Sequence, residues 1–481
     1  KKLSGLEEIH TNYSIKYLYS LVNSGNINEA FNYSRKLEKQ KLESFESNLI
    51  TGIFYLKKSD FKSAKKYFLK AKGSKFVLNN YVSDSLYNWS NLTNIDKNSA
   101  NLELKKLDKR FENLKKIQSV FLNCYYKSSD TGELFSTLNS NQRTDFSRYN
   151  YFHASYAISI GKINEAKSIV QSALKLYPRN LLLNQYKIDL NELKNIDAFD
   201  CRKEKHVAAE ILYITANALS SQSLYSLSNF YLNLAKFLNE DFHSFETLLA
   251  ENFYKTDNFE DAKKIYKNLS KRGEAFKWYS TKQLARIFIQ EKKTKDAIKL
   301  TSSVYKDLIN KEVYETFDFA EFLKNNEKFQ ESIFHYTAVL KNIKSKHPLY
   351  PKATDGRGVA YERIGNWDKA EKDLLASLSA DPDQAYVINY LAYSWIEKGI
   401  KIEKSLNMLE KANKLKSNDP FIIDSLGWAL FKLERYKESK KYLQLAVRLM
   451  PGDPIVNDHY GDVLWKNGNQ LQARYYWNYV C

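Results

Sequence analysis

The sequence predicts an all-α solenoid, an array of paired helices stacked side by side. Three observations carry this expectation. Leu426 and Gly427 recur 34 residues later as Tyr460 and Gly461, and the pairs Ser439/Ala473 and Leu443/Trp477 keep the same offset. The repeated places alternate small residues with large apolar ones, as two helices in close contact require. Where the small residues are lost, apolar residues still recur with a 3.6-residue rhythm. At 481 residues the chain is too long for one globular core and ample for a repeat array. A single helical pair cannot bury both faces, so stacking pair on pair buries a continuous core.

The 34-residue period with small residues at these places resembles the tetratricopeptide signature, and the fold assignment is recognition of that pattern. The resemblance implies a right-handed superhelix of about twelve to thirteen helical pairs. The first helix of each pair would line a concave face.

Taken in order, a first pair runs through Tyr17, Leu18 and Leu21, turns at Gly25 and resumes with Ala30. Gly25 suits a helix C-cap, where φ is positive. In the second pair Gly52 and Ala64 are expected to be the close-contact points between the helices. Residues 76–145 keep the rhythm without the small residues and read as two degenerate pairs. The pattern returns with Ala154, Ala157, Gly161, Ala166 and Ala173. One more amphipathic helix follows over Leu181 to Leu193, and Asn195 to Lys205 reads as a polar bend. Ala216, Ala250, Ala285 and Ala320 then hold the same small place at steps of 34, 35 and 35, with Ser228, Ala262, Ala297 and Ser332 opposite them. After the Lys-rich break at 341–350 the composition shifts: six of the seven prolines and eight of the fifteen glycines lie beyond His347. The expected organisation is therefore residues 1–145 as degenerate repeats, 146–345 as a central array, and 346–481 as a well-matched block and recognition module.

The net charge of +18 admits a nucleic-acid or anionic-membrane partner. Lys is spread along the chain near Glu and Asp, however, and Lys, Asn, Ile, Tyr and Phe are abundant together, as in proteins from AT-rich genomes. The dense basic stretches carry apolar residues at helical spacing, as solvated helix faces do. No run approaches the roughly 18 apolar residues of a membrane helix. The chain starts at Lys1 and stops at Cys481, where a last helix would still be running, so it reads as an excerpt of a longer product. Cys124, Cys201 and Cys481 are sparse and odd in number. They suggest buried small hydrophobes, neither a disulfide framework nor a zinc site. His459 beside Asp458 and Asp462 could in principle hold a divalent ion, but a hydrogen-bonded helix start is the plainer reading. The sequence contains no HExxH, CxxC, GxSxG or Walker loop, so no metal, cofactor, small-molecule substrate or catalytic residue is expected.

The partner-binding candidates lie on the first helices of the last four units. Asp355, Asn389, Asp424 and Asp458 occupy equivalent places, a rung of carboxylates and one amide. Tyr386, Tyr393, Trp428, Phe431, Asp462 and Trp465 lie beside it, with Phe421 and Ile455 on the same side. Acceptors at regular spacing between aromatic walls suit an extended peptide. A local role competes with this one: Asp424 and Asp458 sit in first turns, where a carboxylate offsets the helix dipole. Trp428 and Trp465 could equally pack against neighbouring units. Acidic residues at these places argue against a Lys/Arg clamp for an acidic tail.

The strings YLAYSWIEKG, DSLGWALFKLERYKES and NDHYGDVLWKNGNQLQAR resemble a proteobacterial group of long tetratricopeptide proteins, over residues 351–481. The resemblance implies export to the periplasm or the periplasmic face of the outer membrane. It also implies adaptor work on periplasmic proteins, processing proteases included, with membrane association only through a removed N-terminal anchor. The expectation is thus a non-catalytic adaptor. The alternatives are a basic repeat protein on RNA or anionic lipid, cytoplasmic residence, and a spacer without a ligand.

Overall fold

The computed structural model describes residues 11–140, 146–194 and 196–478. Among these there are 27 α-helices, two short 3-10 turns and no strand. The chain divides into two compact units, Lys1–Asn310 and Lys311–Cys481.

The first unit opens with three pairs: α1 (Thr11–Asn23) with α2 (Ile27–Lys39), α3 (Phe45–Lys57) with α4 (Phe61–Lys70), and α5 (Val77–Trp89) with α6 (Lys97–Lys106). Then come α7 (Glu112–Tyr125) with α8 (Thr131–Asn139), and α9 (Tyr149–Ser159) with α10 (Ile163–Leu176). A single helix, α11 (Leu181–Glu192), interrupts the pairing. Three pairs complete the unit: α12 (Glu204–Ser221) with α13 (Tyr225–Leu238), α14 (Ser244–Lys255) with α15 (Phe259–Leu269), and α16 (Glu274–Gln290) with α17 (Thr294–Asp307). The second unit holds α18 (Val313–Asn325) with α19 (Phe329–Asn342), α20 (Tyr350–Arg363) with α21 (Trp367–Ala380), and α22 (Ala385–Glu397) with α23 (Ile402–Leu415). Its last pairs are α24 (Pro420–Lys432) with α25 (Tyr436–Leu449), and α26 (Pro454–Lys466) with α27 (Gln470–Trp477). That makes 13 pairs and one unpaired helix. The division between units falls between α17 and α18, at residue 310.

Local chemistry sets the helix ends. Asp419 and Asp453 cap α24 and α26 by accepting from the two backbone N–H groups that follow each N1 proline. Pairs turn on a left-handed residue seven places after the small residue of the first helix. Gly161, Gly365, Gly399 and Gly468 fill that place in some pairs, and Ser59, Ser223, Asp257, Lys292, Glu327 and Glu434 in others. Gly25 also has positive φ, as expected.

The small residues do form notches, but the group that enters is not the one expected. A Cβ on Gly52 would meet the Phe68 ring at 2.5 Å, not Ala64. A Cβ on Gly427 would meet Leu443 at 2.6 Å, and one on Gly461 would meet Trp477 at 2.4 Å. The large residue sixteen places on fills each notch. The small residue twelve places on serves the backbone instead: Ser439 Oγ donates to Gly427 O at 2.7 Å, and Ser228 Oγ to Ala216 O at 2.8 Å.

Three features of the first unit were not expected. The array closes on itself: α13 packs on α1 and α3, and α12 on α5. Tyr19 meets Phe230 edge-on at 4.7 Å, and Lys57 Nζ reaches Glu240 at 2.8 Å. Cys124 and Cys201 are joined in a disulfide, their Cα atoms 6.0 Å apart and both side chains buried. They are not free thiols, and the segment around Cys201 is no polar bend, because Phe199 and Cys201 are core residues. Cys481 lies outside the described residues. Finally, the fully buried Glu210 pairs through both oxygens with Arg148, each contact 2.8 Å. Arg148 also donates to Ser244 Oγ and lies 3.9 Å over the Tyr213 ring.

Candidate functional site

In the second unit the first helices of successive pairs touch one another, α18 with α20, α22 with α24, and α24 with α26. Equivalent positions on them therefore form rows. Six residues before the notch residue is about 240° of helical rotation, which turns a side chain away from the paired helix. The residues there are Lys352, Tyr386, Phe421 and Ile455, and all are exposed, the last three at 54%, 54% and 56%. Tyr386 is steadied by its hydroxyl, which donates to Asp419 Oδ2 at 2.9 Å, and by Lys416 Nζ at 4.1 Å from its ring.

Three residues before the notch is about 300°, only 60° from the contact direction, so this row is crowded. Asp355 is half-buried, and burial pushes its carboxyl up to about 6, with Lys324 opposing and Glu321 reinforcing. Asn389 Oδ1 is buried without a hydrogen-bond partner among the described residues. Asp424 is buried, and only Asp458 stands exposed.

Asp424 and Trp428 are engaged within the protein. His459 Nδ1 of α26 lies 2.9 and 3.1 Å from the two Asp424 oxygens of α24. The His459 ring stacks on Trp428 at 4.0 Å. Trp428 Nε1 in turn donates to Glu397 Oε1 of α22 at 2.7 Å. This chain of contacts fastens three consecutive first helices. His459 is engaged by neither Asp458 nor Asp462 through a hydrogen bond: its imidazole faces Asp424 on the preceding first helix. Among the described residues no cluster of His, Cys, Asp and Glu could hold a metal ion.

The other candidates divide by exposure. Phe431 is half-buried, stacked on Trp428 at 4.7 Å. Tyr393 is half-buried, and burial together with Glu397, Asp424 and Asp458 pushes its hydroxyl up to about 12. Burial and the neighbouring Asp458 raise the Asp462 carboxyl. Trp465 is 38% exposed, its ring 5.5 Å from Trp477. The face therefore presents an apolar ladder from Tyr386 to Ile455, flanked by Tyr393, Asp458, Asp462 and Trp465. Sequence reasoning placed these side chains on the right helices. It did not find the partner of Asp424, because the residue that binds it lies 35 positions away on another helix.

Residues 196–480, more than half of the chain, match the family described as tetratricopeptide repeat. A TPR repeat-containing protein of Pseudomonas aeruginosa is 30% identical over 143 residues, which is 30% of this chain and 23% of that protein. The match thus spans less than a quarter of the relative's length. Among solved structures, MamA of Desulfovibrio magneticus RS-1 aligns at 15% identity over 36% of this chain and 94% of its own, with a TM-score of 0.32. Pseudomonas aeruginosa PilF aligns at 19% identity over 35% of this chain and 77% of its own, with a TM-score of 0.31. TM-scores of this size carry no argument for function.

Proposed function

Because the chain belongs to the tetratricopeptide repeat family, we propose that it is a non-catalytic adaptor that holds an extended segment of a partner protein on the first-helix face of its second unit. Tetratricopeptide repeats are protein-interaction scaffolds. The single observation behind it is the exposed ladder of Tyr386, Phe421 and Ile455 on three consecutive first helices. Packed helices stand about 8–10 Å apart. A polyproline II segment rises about 3.1 Å per residue with three residues per turn, so every third residue of the segment meets a rung. Apolar residues at that spacing would cover the ladder, and basic side chains between them would meet Asp458 and Asp462. In this reading Tyr386, Tyr393, Asp458, Asp462 and Trp465 touch the partner, while Asp355, Asn389 and Phe431 line the floor. Asp424 and Trp428 hold the rungs in register from beneath.

The compartment we propose is the periplasm or the periplasmic face of the outer membrane. The Cys124–Cys201 bond supports it, since disulfides persist in oxidising compartments. A periplasmic enzyme, a protease included, is the partner class that the C-terminal motifs suggest.

A photo-crosslinking residue at position 421 or 455, with a control at exposed Leu176 in the first unit, tests the groove. Discrete protein adducts from 421 and 455 that vanish with Asp458→Lys are expected. Identical adducts from all three positions, or none from 421 and 455, would overturn the assignment. Adducts to RNA, lost steeply as salt rises, would favour the basic-surface alternative.

A further inference from the structure

The unpaired helix α11 opens a cavity inside the first unit that the repeat pattern does not call for. It measures about 460 Å³, within the range of small-ligand sites. One wall is aromatic: Tyr151, Tyr186, Phe242 and Phe276 line it, all buried. Tyr151 packs against Tyr186 at 4.5 Å and against Phe242 at 5.3 Å.

The charged groups facing this space are mostly anionic. Asp189, Asp197 and Asp241 line it, against one guanidinium, Arg272, at the exposed rim. His243 also lines it, its Nδ1 turned to Glu246 at 3.3 Å. Asp189 is aimed by a fixed neighbour. Gln185 Oε1 accepts from the Ala275 N–H at 3.1 Å, which commits its Nε2 to donate to Asp189 Oδ1 at 2.9 Å. Gly273 admits that amide, since a Cβ there would fall 2.2 Å from it. Asp189 Oδ2 keeps no hydrogen-bond partner among the described residues, and burial pushes this carboxyl up to about 6. A second group is left over: Tyr151, only 2% exposed, lines the cavity with a hydroxyl that has no partner among the described residues. Burial raises that hydroxyl well above its ordinary range, with Tyr186 and Asp189 adding to it.

The far wall is rigid. The segment bearing Asp197 is tied down by Ser155 Oγ donating to Phe199 O at 2.8 Å, by Asn239 Nδ2 donating to Ala198 O at 3.0 Å, and by the disulfide at Cys201.

We propose that this cavity binds an organic cation with an apolar stem, a primary ammonium on an alkyl chain. The ammonium would sit between Asp189 Oδ2 and the Tyr151 hydroxyl, and Asp197 and Asp241 would draw it in from the rim. The alkyl stem would lie along Tyr186, Phe242 and Phe276, whose ring faces favour a cation as well as a methylene chain. A free diamine and a lysine side chain of a bound protein share this chemistry.

Titration calorimetry on the full chain distinguishes them, with cadaverine as the free diamine, N-acetyl-lysine methylamide as the protein-borne ammonium, and N-acetyl-norleucine methylamide as the uncharged control. Binding of at least one cation, weakened tenfold or more by Asp189→Asn and several-fold by Tyr151→Phe, is expected. Cadaverine alone binding identifies a free amine, and the lysine amide alone identifies a lysine side chain. If Asp189→Asn does not fold, Asp197→Asn at the exposed rim gives the same reading with a smaller loss. Cation binding no stronger than the norleucine control, or unchanged in these variants, would overturn the proposal.

Discussion

Breaking the Cys124–Cys201 bond should destabilise the first unit far more than the second. The bond spans 77 residues of chain. In the chain-entropy description, closing a loop of that length removes about 15 cal/mol/K from the unfolded state, or about 4.5 kcal/mol at 25 °C. Both sulfurs are buried, so the double variant Cys124→Ala/Cys201→Ala also leaves a small void, which adds to the loss. In a unit of this size, 1 kcal/mol moves the midpoint by roughly 2 °C, so a drop on the order of 10 °C is expected. Thermal unfolding with and without reductant measures it, and the double variant should melt low in either condition. Hydrogen exchange should localise the change to α7, α12 and the segment between α11 and α12, leaving α24 and α26 protected as before. Thiol counting on the unreduced, denatured parent should find only Cys481 reactive. Three reactive thiols, or a midpoint within a degree of the parent after reduction, would refute the reasoning.

Three further outcomes follow from particular contacts. Glu210→Gln leaves Arg148 without its carboxylate in a buried setting and should cost about 3–5 kcal/mol in denaturant unfolding, whereas Arg148→Met/Glu210→Leu should recover most of it. Glu434 holds the left-handed turn of α24 and α25 at φ 60°, so Glu434→Gly should raise stability by about 0.5–1 kcal/mol, read in the same experiment. The Asp355 carboxyl titrates near 6 in the folded chain against 3.8 when unfolded, with burial the main cause and Lys324 and Glu321 acting in opposite senses. The folded state therefore binds the proton more tightly. The contribution of Asp355 to stability is greatest below pH 3.8, declines as pH rises to 6, and stays low above that. Asp355→Asn should gain stability over the parent above pH 6 and lose that advantage near pH 4, as pH-dependent unfolding will show. Asp189 titrates in the same window, so parent and variant must be compared at each pH.

The repeat register was legible because it is a local property. Ala216, Ala250, Ala285 and Ala320 are all buried, as their spacing implied, since a periodic helix presents the same face every turn of the repeat. The rows of the candidate face were legible for the same reason: Tyr386, Phe421 and Ile455 are where the period puts them. What each row member does was not legible. Asp424 and Asp458 occupy one place in the repeat, yet one is sealed against His459 and the other is free to solvent. Of the two roles the sequence left open for Trp428, groove wall or packing on a neighbouring unit, its stacking on His459 of the next first helix is the second. At Gly52 the side chain that enters the notch is Phe68, sixteen places on, and not Ala64, twelve places on, because the longer side chain of the second helix reaches across the pair.

By itself, then, the order of residues determined the helices, their pairing, the turn positions and the family, since all of these are decided within one repeat or between immediate neighbours. Tertiary structure alone decided that α12 and α13 return to cover α1, α3 and α5, that Cys124 meets Cys201, that Arg148 meets Glu210, and that α11 leaves a cavity lined with carboxylates. Those contacts join residues that lie tens to hundreds of positions apart. Their meeting depends on the accumulated rotation of every intervening pair, a sum of small angles that no single stretch of sequence records.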